Sequence, residues 1–443
     1  VKCEKYWSDA GEAQFGEITV KLTATKTFAD YIIRSFEMFK SDKEVTRTFT
    51  QFHFTSWPDK SVPVTPWSLV EFLKRVSAQT TKSPVVVHCS AGVGRTGTFI
   101  ALHNVIRQAQ DTGRIDFYQT LAKLRRDRKL MVQTAEQYMF LHKAAQAAIV
   151  CVDTEVKSKN ICDRINKLKE KSTTGKTQLE EEFEGVSTAC KNFNLDTKDD
   201  IQELDDDGNV YQNSSNVNST LKNRYTSIVP KQRFRPYLSC ESKDMGEYIN
   251  AIFVPGFEKK DQQLITQLPM PTTVVDFWRL VSQYDVSLIV AFEIDAMAKD
   301  ESFGNYLPVA GVETLSCPPF EIISMVKRQE PLWEESRLKI DKEKPKLSKT
   351  TSVAGSHSVI HIKCLFTDLS PKNLLSLVKH VRSYDAHARG RTLYTCRNGA
   401  DYSGLICVLS LLLDRIEQDD SVCVPLVVGE IKSIRLEVIP TPV

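Results

Sequence analysis

The stretch Val85-Val-Val-His-Cys-Ser-Ala-Gly-Val-Gly-Arg-Thr-Gly97 constrains this chain more than any other. The β-branched run predicts a buried strand over residues 84–87, the glycines mark a loop, and a helix is expected to begin near Arg95. A glycine loop between a strand and a helix converges several backbone N–H groups on one spot and adds the positive end of the helix. That is a cradle for an anion. Arg95 supplies a planar fork able to bind two phosphate oxygens. In such a field the Cys89 thiol is expected to ionise below its ordinary value of about 8.5, giving a nucleophile at neutral pH. The bland alternative makes Cys89 a small core hydrophobe and Arg95 a surface charge, and it leaves His88, Thr96 and the two loop glycines without a reason.

A chain of 443 residues is too long for one ordinary core, so two domains of about 200 residues each are expected. Signals for strands (46–54) and helices (67–77, 118–128, 135–150) alternate, which predicts a mixed α/β fold. Residues 151–177, rich in Lys, Thr and Ser, read as a linker with limited helix. The net charge of +2 excludes recognition of nucleic acid or a membrane surface by bulk charge, so electrostatic recognition has to be local. Eleven cysteines without CxxC spacing read as reduced cytosolic thiols, neither a disulfide framework nor a zinc site. No apolar run approaches the length of a membrane span, so this piece reads as soluble. The acidic run 196–207 reads as a solvated insertion. Its Asp205, Asp207, Gly208 spacing fails as a calcium loop because Glu203 and Ser214 occupy the first and last positions. The sequons at Asn213 and Asn218 read as chance.

His-Cys-x5-Arg-Thr is similar to the signature of the protein tyrosine phosphatases, and two further segments strengthen the resemblance. Phe54-Thr-Ser-Trp57-Pro58-Asp59 resembles the mobile loop that carries the general acid. Met131-Val-Gln133-Thr-Ala-Glu-Gln137-Tyr resembles the glutamine loop that positions water. Each has a bland reading alone: Trp57 a core aromatic, Asp59 a turn residue, Gln133 a helix cap. The resemblance implies that Cys89 attacks phosphorus, Asp59 protonates the departing tyrosine oxygen, and Gln133 orients the water that hydrolyses the cysteinyl-phosphate. It implies phosphate binding by the loop Ser90, Ala91, Gly92, Val93, Gly94 and Arg95, with Asp59 and Gln133 alongside, and a hydrogen bond from Thr96 to the sulfur. His88 is expected as a structural influence inside a buried strand, with Trp57, Gln137 and Lys2 supporting. No metal and no cofactor is implied. Dual-specificity or lipid phosphatases are the alternative, although they rarely join these two loops to a tandem copy.

A second copy follows. Lys222-Asn-Arg-Tyr225, Tyr248-Ile-Asn-Ala, Thr266-Gln-Leu-Pro and Asp276-Phe-Trp278 resemble the family's recognition loop, early strands and following helix. Its signature, Thr395-Cys396-Arg-Asn-Gly-Ala-Asp-Tyr402-Ser403-Gly, is degenerate: Thr395 replaces His, Tyr402 replaces the essential Arg, Asp368 stands in a loop without Trp-Pro, and Pro440 falls where Gln133 sits. Ser227 replaces an aspartate. The expectation is two tandem cysteine-phosphatase domains, each a twisted mixed sheet flanked by helices. Residues 1–150 would be the C-terminal part of an active domain, 151–177 a linker, and 178–443 a non-catalytic copy that docks partners or regulates. Cys396 is expected as a packed thiol. Such a tandem resembles the cytoplasmic region of receptor-type tyrosine phosphatases, with phosphotyrosine-containing proteins as substrates and a membrane span upstream. The early strands of the first copy and the last helix of the second have no counterpart here, so both domains read as truncated and the chain, beginning at Val1, as a fragment.

Overall fold

A computed structural model describes the chain except for residues 1–3, 41–45, 59–60, 80–82, 196–220, 241–245, 294–299, 310–312, 343–355, 367, 386–389 and 443. The acid-loop Asp59, Lys2, the acidic insertion and both sequons therefore lie outside the described residues. The chain divides into two compact units. Unit one holds Val1–Phe193, Phe257–Lys259 and Ser421–Glu430, and unit two holds Asn194–Gly256, Lys260–Asp420 and Ile431–Val443.

In unit one, β1 (Glu12–Phe15), β2 (Ile18–Thr27), β3 (Tyr31–Lys40) and β4 (Thr46–Phe54) form an antiparallel meander in sequence order. Alternation of apolar residues puts Tyr31, Ile33 and Phe52 on the face that meets the helices. Then come α1 (Pro66–Ser77), α2 (Gly94–Thr112), α3 (Phe117–Asp127), α4 (Ala135–Val150), β5 (Glu155–Lys157), α5 (Ile161–Leu168) and α6 (Gln178–Leu195). Leu69, Phe72, Leu102, Leu141 and Ala144 join Tyr31 in the core. Two helix starts are fixed by side-chain caps: Asp116 accepts from the Gln119 N–H at 2.8 Å ahead of α3, and the Thr134 hydroxyl accepts from the Gln137 N–H at 3.1 Å ahead of α4. The second cap places Gln133 immediately outside a helix N-terminus.

Unit two contains β6 (Ala251–Val254), β7 (Gln263–Gln267), α7 (Val274–Gln283), β8 (Val286–Phe292), β9 (Thr314–Cys317), β10 (Phe320–Gln329), β11 (Trp333–Lys342), β12 (Ser356–Cys364), α8 (Pro371–Asp385), β13 (Arg391–Cys396) and α9 (Asp401–Asp419). After these, β14 (Ser421–Cys423) pairs with β5 as part of unit one, and α10 (Val424–Ile434) follows. The eight strands β6-β7-β13-β8-β12-β11-β10-β9 make one mixed sheet. The β9–β12 meander repeats β1–β4, down to a register shift at Ser324/Val326 in β10 that matches the one at Leu22/Ala24 in β2.

The halves differ where the signature strand should lie. In unit two β13 runs parallel to both β7 and β8, and Leu393, Tyr394 and Cys396 on it are almost fully buried. The expected buried strand over 84–87 does not form. Residues 84–88 pair with no strand among the described residues, and Val85 and Val86 are 61% and 84% exposed. The reason is non-local: β13 is a strand because two neighbours satisfy its backbone, and among the described residues unit one has no counterpart of β7 or β8 beside 84–88. Its sheet is accordingly antiparallel throughout.

Val86 and Leu393 hold equivalent positions before the two cysteines, so their truncation should separate the two situations. Val86→Ala should change stability by no more than about 0.5 kcal/mol, as for an exposed side chain. Leu393→Ala should cost roughly 2–5 kcal/mol. Urea unfolding of the full chain checks both, and a Val86→Ala cost matching that of Leu393→Ala would mean that 84–88 is paired and buried in solution.

Candidate active site

After Cys89 the chain turns through Gly92, whose φ of +68° is left-handed and favours a residue without Cβ. Helix α2 then begins at Gly94. A Cβ on Gly94 would stand 3.0 Å from Gln137 Nε2 and 3.3 Å from Gln133 Oε1, so glycine there lets both glutamines approach the loop. The turn brings the N–H groups of Gly92, Val93 and Thr96 onto the Cys89 sulfur. Burial alone would raise the Cys89 pKa, but the Thr96 hydroxyl and these three amides together outweigh it and hold the thiol below its ordinary value. The Thr96 side chain is itself buried, and its hydroxyl acts on the sulfur as a hydrogen-bond donor.

The acid loop and the glutamine loop meet this cradle. Arg95 Nη2 donates to the Pro58 carbonyl at 3.1 Å. Trp57 packs against Phe54 and Phe140 and donates from Nε1 to the Ser61 carbonyl at 2.8 Å. Ser61 Oγ donates to Glu136 Oε1 at 2.8 Å, tying the loop's far side to the first turn of α4. Both flanks of Asp59 are thereby anchored. On the other side Val132 takes φ +56°, its N–H donates to the Val93 carbonyl at 3.1 Å, and Gln133 N–H donates to Gln137 Oε1 at 2.9 Å. Gln133 is exposed at the rim while Gln137 is buried behind it.

His88 departs from expectation. It is exposed, because its segment pairs with no strand, and its ring is held by a 2.7 Å hydrogen bond between Nε2 and the Tyr6 hydroxyl, to which Gln51 Nε2 donates at 3.0 Å. Sequence reasoning also passed over the braces. Arg128 Nη2 donates to the Ala91 carbonyl at 3.0 Å, and Arg125 donates to the carbonyls of Met131 at 3.0 Å and Val132 at 2.8 Å. A signal for Arg128 existed: Arg435 stands at the same separation from it as Cys396 does from Cys89, and Arg435 braces the Gly399 carbonyl.

In unit two Gly399 repeats the turn at φ +66°. Cys396, only 1% exposed, is the packed thiol expected of it, hydrogen-bonded to Ser403 Oγ at 3.1 Å. Tyr402, at the position of Arg95, stacks on Phe292 at 5.6 Å and 16° between planes. Asp368 accepts from the Ser370 N–H at 3.1 Å through its carboxylate, a turn contact ahead of α8. Pro440 is exposed at the place of Gln133 and brings no amide side chain.

The amides and hydroxyl around Cys89 should be visible in its reactivity. The rate of alkylation by iodoacetamide, read by mass spectrometry of the Cys89 peptide across pH, should reach half-maximum below the roughly 8.5 of an unperturbed cysteine. Thr96→Val removes a donor to the ionised sulfur and should move that midpoint up. A wild-type midpoint at or above about 8.5 would contradict the electrostatics described here.

Comparison with known proteins agrees with this architecture. The family model described as protein-tyrosine phosphatase matches residues 1–147 and again 219–442. Human receptor-type tyrosine-protein phosphatase zeta is 30% identical over 95% of the chain, which spans 18% of that protein. Chicken receptor-type tyrosine-protein phosphatase U is 28% identical over 94% of the chain and is spanned to 28%. Human receptor-type tyrosine-protein phosphatase alpha is 28% identical over 98% and is spanned to 53%. The chain therefore covers less than two thirds of each of these relatives. Matched twice along its length, and carrying one complete and one altered form of the same cysteine loop, this chain belongs to the protein-tyrosine phosphatase family.

Proposed function

We propose that the chain hydrolyses phosphotyrosine in proteins through a cysteinyl-phosphate at Cys89, with residues 1–150 catalytic, 151–177 a linker, and 178–443 a non-catalytic, regulatory copy. The observation that carries this reading is the Cys89 sulfur held under the N–H groups of Gly92, Val93 and Thr96 with its pKa lowered, in a loop whose Arg95 donates to the Pro58 carbonyl. The thiolate attacks phosphorus and forms the P–S bond while the P–O bond to tyrosine breaks. Asp59 gives its proton to the phenolate oxygen. The amides of Ser90, Ala91, Gly92, Val93 and Gly94, with Arg95, take up the charge that develops on the phosphoryl oxygens. Water oriented by Gln133 then attacks, Asp59 accepts its proton, and the P–S bond breaks to release inorganic phosphate and the thiolate, which Thr96 stabilises.

The anchored flanks of Asp59 support its role, since Pro58 and Ser61 connect the acid loop to the cradle and to α4. The names of the relatives support a place in the cytoplasmic region of a single-pass receptor, with phosphotyrosine proteins as substrates and partner docking at the second copy. Among the described residues no helix is long and apolar enough to cross a membrane.

Turnover of phosphotyrosine peptide, phosphoserine peptide and phosphoinositide by the full chain tests the proposal. Only the first should be hydrolysed, and Cys89→Ser should abolish it, because a serine hydroxyl stays protonated in the same cradle. Asp59→Ala should lower kcat by about 10²–10⁴ with KM little changed, since the acid acts mainly in the transition state. Unchanged kcat would place the acid elsewhere. With Cys89→Ser in place, any residual turnover that vanishes on adding Cys396→Ser would show the second copy to be catalytic.

A further inference from the structure

The second loop has lost its arginine, and it has also acquired an occupant. Where Ala91 stands in the first loop, the second carries Asn398, and its carboxamide is folded into the cradle. Asn398 Oδ1 accepts from the Ala400 N–H at 3.0 Å, from the Asp401 N–H at 3.1 Å and from the Cys396 thiol at 3.3 Å. These are amides at the start of α9 and the sulfur of the signature cysteine, the groups that a phosphate oxygen would meet in an open cradle. A carbonyl oxygen, with its two lone pairs, meets the two amides without bringing a negative charge into a site where Tyr402 replaces the guanidinium fork. Ala91 has no side-chain oxygen with which to do the same.

The residue after the cysteine is tied down as well. Arg397, at the position of Ser90, donates from Nε to the Tyr225 hydroxyl at 2.9 Å and from Nη1 to Asp300 Oδ2 at 2.6 Å, and its guanidinium lies 5.1 Å from the Phe303 ring centre. Tyr225 belongs to the segment that resembles the recognition loop, so its hydroxyl is engaged from within. The N–H and hydroxyl of Ser302, then Arg397, hold the Asp300 carboxyl down at about 2, so this bridge is charged throughout the neutral range.

We infer that the second copy is a phosphate cradle occluded by its own chain: the Asn398 carboxamide takes the place of a phosphoryl oxygen, Arg397 bolted to Asp300 and Tyr225 covers the entrance, and the unit does not receive phosphotyrosine even as a binding module. The inference rests on the reading of unit two as non-catalytic and deepens it, because it predicts that restoring the arginine leaves the site shut. Any docking role of this unit then uses another surface.

Hydrogen exchange of the full chain with and without orthovanadate, read at residues 397–402 and at 90–95, tests this. In the wild type the first loop should be protected by orthovanadate and the second unchanged. Asn398→Ala alone should speed exchange at residues 400–401 without any anion, because two donors lose their acceptor. Tyr402→Arg alone should gain little protection, whereas Tyr402→Arg with Asn398→Ala should bind orthovanadate at the second loop roughly tenfold or more tightly, about the worth of two amide hydrogen bonds returned to the anion. Protection of 397–402 in the wild type overturns the inference. So does unchanged exchange at 400–401 in Asn398→Ala, or equal protection in the single and double variants. Absence of protection at 90–95 would instead count against the reading of the first loop and would leave the comparison at the second decisive.

Discussion

An α-helix leaves its first N–H groups without intrahelical partners, and both halves of this chain are organised around what meets those groups after the signature cysteine. In unit one the N–H groups of Gly92, Val93 and Thr96 meet the Cys89 sulfur. The surrounding structure follows from that requirement. Gly92 must turn left-handed to aim them, Arg128 must hold the Ala91 carbonyl from outside the loop, and Gly94 must be small enough for Gln133 and Gln137 to close in. Arg125, holding the carbonyls of Met131 and Val132, and the Thr134 cap fix the chain that delivers those glutamines.

The two copies show how little of the backbone has to change for the chemistry to change. Gly92 and Gly399 have φ of +68° and +66°, and Val132 and Ile439 are both left-handed at +56° and +48°. Arg128 and Arg435 brace equivalent loops. Against this constant frame, Ala91 becomes Asn398, Ser90 becomes Arg397, Arg95 becomes Tyr402 and Thr96 becomes Ser403. Each replacement finds a neutral or internally paired contact, such as Tyr402 on Phe292 or Asn398 on the loop amides. Buried polar groups have to be satisfied whether or not a ligand arrives, so a loop without a guanidinium for the anion is most stable with an acceptor of its own.

Much was legible from local pattern. The β4 strand at Thr46–Phe54 and the α4 helix at Ala135–Val150 coincide with the expected segments, and α2 begins one residue before Arg95. These elements depend on periodicity and on caps a few residues away, which is information that a short window of sequence contains. The association of Cys89 with Thr96 and the loop amides is local for the same reason.

What local pattern could not supply was every contact made across the fold. Val85 and Val86 have the composition of a buried strand, yet a strand is defined by its neighbours' hydrogen bonds, and only the tertiary structure reveals that 84–88 has no neighbouring strand among the described residues while β13 has two. Tyr6 on His88, Glu136 on Ser61 and Arg397 on Asp300 and Tyr225 join residues far apart in the chain. By itself the sequence determined which chemistry the cysteine loops can hold, because thiol, guanidinium and glycine positions are written in one contiguous stretch. Tertiary structure decided what meets the second loop's amides, because that depends on where side chains such as Asn398 and Arg397 find their partners in space.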